Sequence, residues 1–317
     1  MHKKIWISTS FFTILMLACS ISFVETPPPA INQAPGNEGA PMTPTPQVDA
    51  GPTVVDSAAT ESVQPESNGS TSGLVTGKYG VSLVSSKDVL NIRAGPGVEY
   101  AVISRFKSTD HGIIRTGRSF KVGDQEWLEV QNPRGATGWV NGNFLTEYID
   151  PEVFCEDGSV LELMDKLVVV MSTFDGTGLS EMVSPLHGLE VRYWRYGNPA
   201  HYDRSEAMDI FTSTSELNWG PAPGSGQDTL GAFSEIPLPK LQEVLTTQPE
   251  RHCNDSLDLA TFSLEPWPNE FTNINFYNLY KTGSPGVELD WRAWLVGIEY
   301  VQGTPYLFSL IHFQWEP

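Results

Sequence analysis

Four side chains in the second half of the chain could carry acid–base chemistry: His187, Asp290, Glu299 and His312. A histidine and a carboxylate that meet in a cleft can pass a proton to and from a reacting group, because imidazole titrates near neutrality and burial moves a carboxylate toward it. Each of the four also has a structural reading. His312 stands in an apolar run and suits a core histidine, and His187 stands in a turn ended by Gly188. Asp290 can cap a loop or pair with Arg292. The chain has no Gly-x-Ser-x-Gly elbow, His-Glu-x-x-His pair, phosphate loop, dinucleotide fingerprint or EF-hand spacing. The run Asn254-Asp255-Ser256-Leu257-Asp258 could touch a calcium ion, but acidic loops of this kind are usually only solvated. The expectation is no catalytic residue, no metal and no cofactor, with those four as the reserve set.

The elements that must hold these residues begin near residue 150. Ser159-Val160-Leu161-Glu162 reads as a capping box. Val160, Leu163, Met164, Leu167, Val168 and Met171 follow it at helical spacing, up to a stop at Asp175-Gly176. Short helices are expected at 179–183, 205–211 and 239–246, strands at 189–196 and 274–280, and a glycine-proline loop at 219–226. A long hairpin spans 294–301 and 306–315. With Val301 opposite Tyr306, one face carries Trp294, Val296, Ile298, Tyr300, Leu307, Ile311, Phe313 and Trp315, and must be core. The other carries Leu295, Glu299, Phe308, Leu310 and His312, a lining for a cleft or for helices packed over it. Helices first and a curved antiparallel sheet last predict an α+β domain over residues 150–317.

The charge is concentrated in that domain. Of a net −19, residues 150–317 contribute −17, from eight basic and twenty-five acidic side chains. Such a field repels nucleic acid and anionic headgroups and keeps an exported domain soluble, so no nucleic-acid partner is expected. At the other end, Lys3 and Lys4 precede an apolar run over 5–17, too short to span a bilayer. It ends in Leu15-Met16-Leu17-Ala18-Cys19-Ser20, which resembles the lipobox of bacterial lipoproteins, with Met16 where that family prefers leucine. The resemblance implies a signal peptide over 1–18 and a diacylglycerol on Cys19, which would become the mature N-terminus held in a lipid bilayer. The other reading is an ordinary signal peptide with Cys19 incidental. Two acyl chains anchor stably where one does not. Residues 20–77 hold nine prolines and no Lys or Arg. Such a segment cannot bury enough surface to offset its ordering entropy. The segment 19–79 is therefore expected to be a disordered tether, reaching roughly 40–45 Å as a coil.

Between tether and acidic domain, short β-rich runs at 81–84, 89–93, 101–105, 112–114, 127–130 and 139–140 alternate with turn signals. Within them, Asn91-Ile92-Arg93, Gly95-Pro96-Gly97, Trp127, Gly138-Trp139-Val140 and Leu145 stand in an order that resembles the bacterial SH3-like domain. The resemblance implies a small all-β barrel over 80–149 that takes peptidoglycan peptide in a groove beside the glycine-proline loop. Tyr100 and Trp139 would line that groove, and Asn91, Arg93 and Asn143 would add polar contacts. Trp127 and Val130 read as core packing. The stretch 107–122 is more polar than the family's strand there, which predicts a longer loop.

With Cys19 assigned to lipid by its resemblance, Cys155 and Cys253 remain, and in an oxidising compartment they are expected to pair. The alternative makes Cys155 a nucleophile, since SH3-like modules accompany cysteine peptidases that cut wall peptides. Phe154-Cys155-Glu156-Asp157 does not match their Asp-Cys-Ser-Gly-type nucleophile, and its acidic neighbours would raise the thiol's pKa. A second resemblance rests on Ser184-Pro185-Leu186-His187-Gly188, Trp219-Gly220, Gly224-Ser225-Gly226, Asp290-Trp291-Arg292, Leu295-Val296 and Ile311-His312-Phe313-Gln314-Trp315. These are similar to an uncharacterised domain of exported bacterial lipoproteins, which implies boundaries and no activity. The combined expectation is a membrane-anchored envelope lipoprotein without catalysis, whose SH3-like module contacts wall peptide and whose acidic domain binds an unknown ligand or partner. A wall peptide or glycan hydrolase and a structural spacer are the alternatives.

Overall fold

The computed structural model describes residues 77–132, 134–194, 196–255 and 267–315. The leader, Cys19 and nearly all of the tether lie outside the described residues, as do residues 256–258 of the candidate calcium loop.

Among the described residues up to 149 stand seven strands: β1 (Lys78–Val81), β2 (Val89–Arg93), β3 (Val102–Lys107), β4 (His111–Val122), β5 (Gln125–Gln131), β6 (Thr137–Asn141) and β7 (Leu145–Glu147). Alternation selects their inner faces. In β2, Leu90 and Ile92 are buried between half-buried neighbours. Leu90 and Ile92 join Val81, Phe106, Ile113, Leu128, Val130, Val140 and Leu145 in one core. The strand order is β3-β2-β6-β5-β4-β1-β7, so β3 and β7 lie at opposite edges of an open sheet. This corrects the expected closed barrel. β2 and β6 meet through the single pair Arg93–Trp139. Register shifts at Tyr79/Gly80, Ile92/Arg93 and Arg115/Ser119 mark irregularities of the kind that bend a sheet, so its inner face reaches a shared core without closure.

The predicted long loop at 107–122 is mostly the twelve-residue strand β4. It turns at Gly123-Asp124 into β5, with Val122 opposite Gln125 and Phe120 opposite Trp127. Ile114, Phe120 and Val122 are exposed on it. Backbone pairing rather than side-chain burial holds this arm, so hydrophobic alternation could not announce it.

The second half comprises α1 (Pro151–Glu156), α2 (Gly158–Thr173), α3 (Gly176–Met182), β8 (Leu189–Arg192), β9 (Ala200–Tyr202), α4 (Arg204–Asp209), β10 (Leu217–Pro221), β11 (Asp228–Gly231), α5 (Pro237–Leu245), β12 (Glu250–Cys253), β13 (Asn275–Lys281), β14 (Arg292–Val301) and β15 (Thr304–Gln314). The cap of α2 is Asp157, whose carboxylate accepts from the Ser159 amide at 2.9 Å. Ser159 itself is inside the helix. The buried stripe of α2 is Val160, Met164, Leu167, Val170 and Met171.

A six-stranded sheet runs β12-β13-β14-β15-β8-β9, and β10 and β11 form a separate two-stranded sheet. β15 pairs with β8 in parallel, and the other neighbours in the larger sheet are antiparallel. The α+β expectation, helices first and one antiparallel sheet last, is therefore also corrected. Strands and helices interleave from β8 to β12, the large sheet is mixed, and the described chain is mostly β in three sheets. β8 and β9 span only four and three residues, too few for alternation to show. β10 takes up the start of the stretch read as a glycine-proline loop, and the rest of that stretch connects it to β11.

The hairpin β14–β15 turns on Gln302 and Gly303, with φ of +54° and +73°, and pairs Val301 with Thr304 rather than with Tyr306. Gly297 faces Ser309 and Ile298 faces Leu307, so Phe308 is an extra residue on β15. That bulge reverses the facing of β15 beyond it. Trp294, Val296, Ile298, Tyr300, Leu307 and Leu310 enter the core built on the helices. Leu295, Phe308, Ile311 and Phe313 enter a second core with Phe271, and Leu83 of the first half packs against it. Both faces of the hairpin are buried.

Polar contacts complete this joint. The Asn273 amide donates to the Val81 carbonyl at 2.8 Å and to the Asp110 carbonyl at 3.1 Å. The Glu147 carboxylate accepts from the amides of Gln302 at 2.8 Å and Gly303 at 2.9 Å, holding the hairpin tip against β7.

Candidate functional site

The cleft beside β2 gathers the polar residues of the first half. It has a volume of about 580 Å³, and Asp88, Asn91, Arg93, Val98, Gln125, Trp127 and Asn141 contribute to its lining. A cleft of this size falls in the ordinary range for small-ligand sites. β2 points Asn91 and Arg93 to this side because Leu90 and Ile92 must face the core. The Arg93 guanidinium donates to the carbonyls of Val98 at 2.7 Å and Tyr100 at 2.8 Å, so it clamps the glycine-proline loop over the cleft. Trp127 is only 3% exposed, yet it walls the cleft, and its indole N–H has no acceptor among the described residues.

The predicted groove residues therefore separate. Asn91 and Arg93 share the cleft, while Tyr100 and Trp139 are not part of its lining. The Tyr100 ring covers Gly95, where a Cβ would collide with it, which is why the loop needs glycine there. Trp139 is 9% exposed, with the Arg118 guanidinium 5.4 Å from its ring. Asn143 lines a different cleft, between the two halves. Sequence reasoning missed the part played by Trp127, because the alternation that marks it as core is silent about the cleft beyond.

The acid–base set is also divided. His187 and Glu299 meet: Nδ1 of His187 lies 2.6 Å from Oε2 of Glu299, whose side chain is fully buried. Ser184 brings His187 there. Its hydroxyl accepts from the amides of Leu186 and His187, both at 3.1 Å, and donates to Glu299. The Ser184 amide donates to the Leu307 carbonyl, which docks the turn on β15. The second ring nitrogen of His187 lies 3.1 Å from the Asn143 carbonyl. Burial by itself would lower the His187 pKa, but the hydrogen bond and charge of Glu299, with the Asn143 carbonyl, outweigh it and raise the pKa.

His312 lies elsewhere. It pairs with Trp294, five residues before Glu299 on β14, which is roughly 16 Å along a strand. Its Nδ1–H donates to the Tyr193 carbonyl at 3.0 Å, and its ring lies between Tyr193 and Trp294, at 5.3 and 4.8 Å. Asp290 caps an exposed loop, accepting from the amide and hydroxyl of Ser284, both at 2.6 Å, and those hydrogen bonds lower its pKa. Cys155 and Cys253 are bonded to each other, with Cα atoms 5.7 Å apart. Among the described residues, no group of three or more His, Cys, Asp or Glu gathers as metal ligands would.

Burial pushes His312 down to about 3, with Arg292 and Lys240 adding to the shift against the Tyr193 carbonyl. It is therefore neutral when folded, whereas the unfolded residue protonates below about 6.5. Stability tied to His312 is complete above pH 6.5 and is lost as pH falls toward 3. Between pH 6.5 and 5 the loss is about 2 kcal/mol, from 1.36 kcal/mol per pH unit. In urea titrations at the two pH values, His312→Leu should lose less stability on acidification than the parent. An equal loss in both would show that His312 does not drive the acid limb.

Compared with protein-family models, curated proteins and solved structures, the chain matches none.

Proposed function

We propose that the chain is an exported, lipid-anchored protein of the cell envelope that binds rather than reacts, taking wall peptide in the cleft beside β2. Its acidic second half would meet a further ligand or partner. The observation that carries the binding role is the cleft itself. The side-chain amides of Asn91, Gln125 and Asn141 offer donors and acceptors to a peptide backbone, and Asp88 offers a carboxylate to an amino group. The unpaired indole N–H of Trp127 lies in the wall of the same cleft. The order of motifs around Asn91-Ile92-Arg93 and Gly95-Pro96-Gly97 supports wall peptide as the ligand, and the run ending in Ala18-Cys19 supports the anchor. Non-catalytic binding is favoured because His187 is engaged at both ring nitrogens and His312 is sealed in the core.

The test is retention of the purified protein on insoluble peptidoglycan. Asn91→Ala combined with Gln125→Ala should weaken it about tenfold, the effect of losing about 1.4 kcal/mol of contact. No retention by the parent, or undiminished retention by the double variant with native melting, would overturn the assignment. Labelling with radioactive palmitate that survives Cys19→Ala would overturn the anchor.

A further inference from the structure

The two partners of the His187 ring are both acceptors. Nδ1 faces the Glu299 carboxylate at 2.6 Å, and Nε2 faces the backbone carbonyl of Asn143 at 3.1 Å. A neutral imidazole carries one N–H and one lone pair, so against the ionised form of Glu299 either tautomer would set a lone pair against an acceptor oxygen. Only the imidazolium satisfies both. Glu299 and His187 belong to the second half, and Asn143 sits in the 3-10 turn between β6 and β7 of the first. We propose that His187 is a proton-operated latch between the two halves, closed when doubly protonated and released at Asn143 when it loses the Nε2 proton.

The order of release follows from the partners. A charge-assisted bond to a buried carboxylate holds its proton more strongly than a bond to a neutral carbonyl. The Nδ1 proton therefore stays on Glu299's side, and the departing one is that which faces Asn143. The surroundings leave Glu299 as the controlling charge. On the open side of the turn stand His201 of β9, Asp203, and Arg204 and Glu206 of α4, which share a surface cleft with His187. Of these, Arg204 is turned away, donating to the Val183 carbonyl at 2.8 Å and standing over the Tyr306 ring. His201 and Glu206 are engaged elsewhere, with Glu190 and the Asp203 amide. On the buried side the Phe308 ring meets the imidazole edge-on, and the Ser184 hydroxyl donates to the same carboxylate. The first half presents the Asn143 carbonyl there. The raised pKa of His187 agrees with this arrangement.

The latch bounds one side of a cleft of about 630 Å³ between the halves, to which Asn143 and Leu186 both contribute. The Glu147 clamp on Gln302 and Gly303 lies at the same cleft and contains no histidine. Losing the Nε2 proton thus frees one side of the joint and leaves the other held.

Nuclear magnetic resonance of the full chain tests this through the His187 ring nitrogens and the Asn143 carbonyl carbon. Both nitrogens should carry protons at pH 6. Nε2 should lose its proton with a midpoint above the ~6.5 of an ordinary histidine. The Asn143 carbonyl should shift with the same midpoint, and His187→Gln should abolish that shift. A ring with one proton throughout pH 5–9, a midpoint below 6.5, or an Asn143 carbonyl that ignores the titration would each overturn the latch. Should His187→Gln fail to fold, the parent's spectrum still decides, because the ring is assignable through its contact with Phe308.

Discussion

Replacing both Cys155 and Cys253 by alanine should lower the unfolding free energy by about 2–5 kcal/mol, with the upper part of that range expected. The bond joins residues 98 apart in sequence. A loop of about a hundred residues corresponds to ~4.7 kcal/mol in the chain-entropy account. Its position adds a second reason. β12, which carries Cys253, is an edge strand of the large sheet and, among the described residues, pairs with β13. The bond ties that edge to α1, and Cys155 and Cys253 both pack against the main core. Around it, the Tyr277 hydroxyl donates to the Cys155 carbonyl at 3.2 Å, and the Asn254 amide donates to Asn275 at 2.9 Å. Those hydrogen bonds help position the edge, as do its four residue pairs with β13, the amide exchange between Asn254 and Phe276 and the Arg251–Asp165 ion pair at 2.7 Å. Urea unfolding followed by tryptophan fluorescence measures the loss, and the parent in reductant should show the same shift. A double variant within 1 kcal/mol of the oxidised parent would remove the bond from any part in stability.

Whether a feature could be read from the sequence depended on whether its signal was local. The amphipathic stripe of α2 and the β14–β15 pair are announced by side chains that repeat at fixed spacing, and both elements form where that spacing puts them. The bulge at Phe308 was hidden, because nothing in Leu307-Phe308-Ser309 marks which residue is extra. One inserted residue then moved Ile311 and Phe313 from the expected face to the other, and His312 with Leu310 in the reverse direction. The open edge of the first sheet was hidden for a different reason. Alternation says which face of a strand is buried, but not whether its outer edge finds a partner.

The candidate site divides along the same line. Asn91 and Arg93 enter as contacts that the resemblance implies, and the alternating burial of β2 turns both to the cleft side. Tyr100 and Trp139 are placed in the groove by the resemblance to the SH3-like domain, and the loop and sheet turn them to other work. The His187–Glu299 contact joins residues 112 apart, through a turn whose geometry rests on the Ser184 hydroxyl. Both residues stood among the acid–base candidates, but their meeting, and the carbonyl that occupies the other nitrogen, are properties of the assembled chain.

Glu299→Ala should therefore be costly in a pH-dependent way, and more so at pH 5.5 than at pH 8. Glu299 is 1% exposed and accepts from the Ser184 hydroxyl and from His187. Truncation leaves two buried donors without an acceptor, worth about 1–3 kcal/mol where no charge is stranded. At pH 8 the cost should stay near that range, because His187, stripped of its counter-charge in a buried place, escapes by giving up its proton. At pH 5.5 the escape is opposed, since the unfolded chain holds that proton and the folded one must release it or bury an unpaired imidazolium. The cost should then approach the 3–5 kcal/mol typical of a broken buried ion pair, about 2 kcal/mol more than at pH 8. The parent runs the other way. Its folded-state His187 pKa is raised, so the pair's contribution is full below about 6.5 and fades as pH climbs through the raised value. Glu299→Gln keeps the shape and removes the charge, and should fall between the parent and alanine at pH 5.5. Urea midpoints for the three proteins at both pH values provide the comparison. An alanine penalty that does not change with pH would mean that His187 carries no charge in the folded protein, and that the network from Ser184 to Asn143 is held by neutral hydrogen bonds alone.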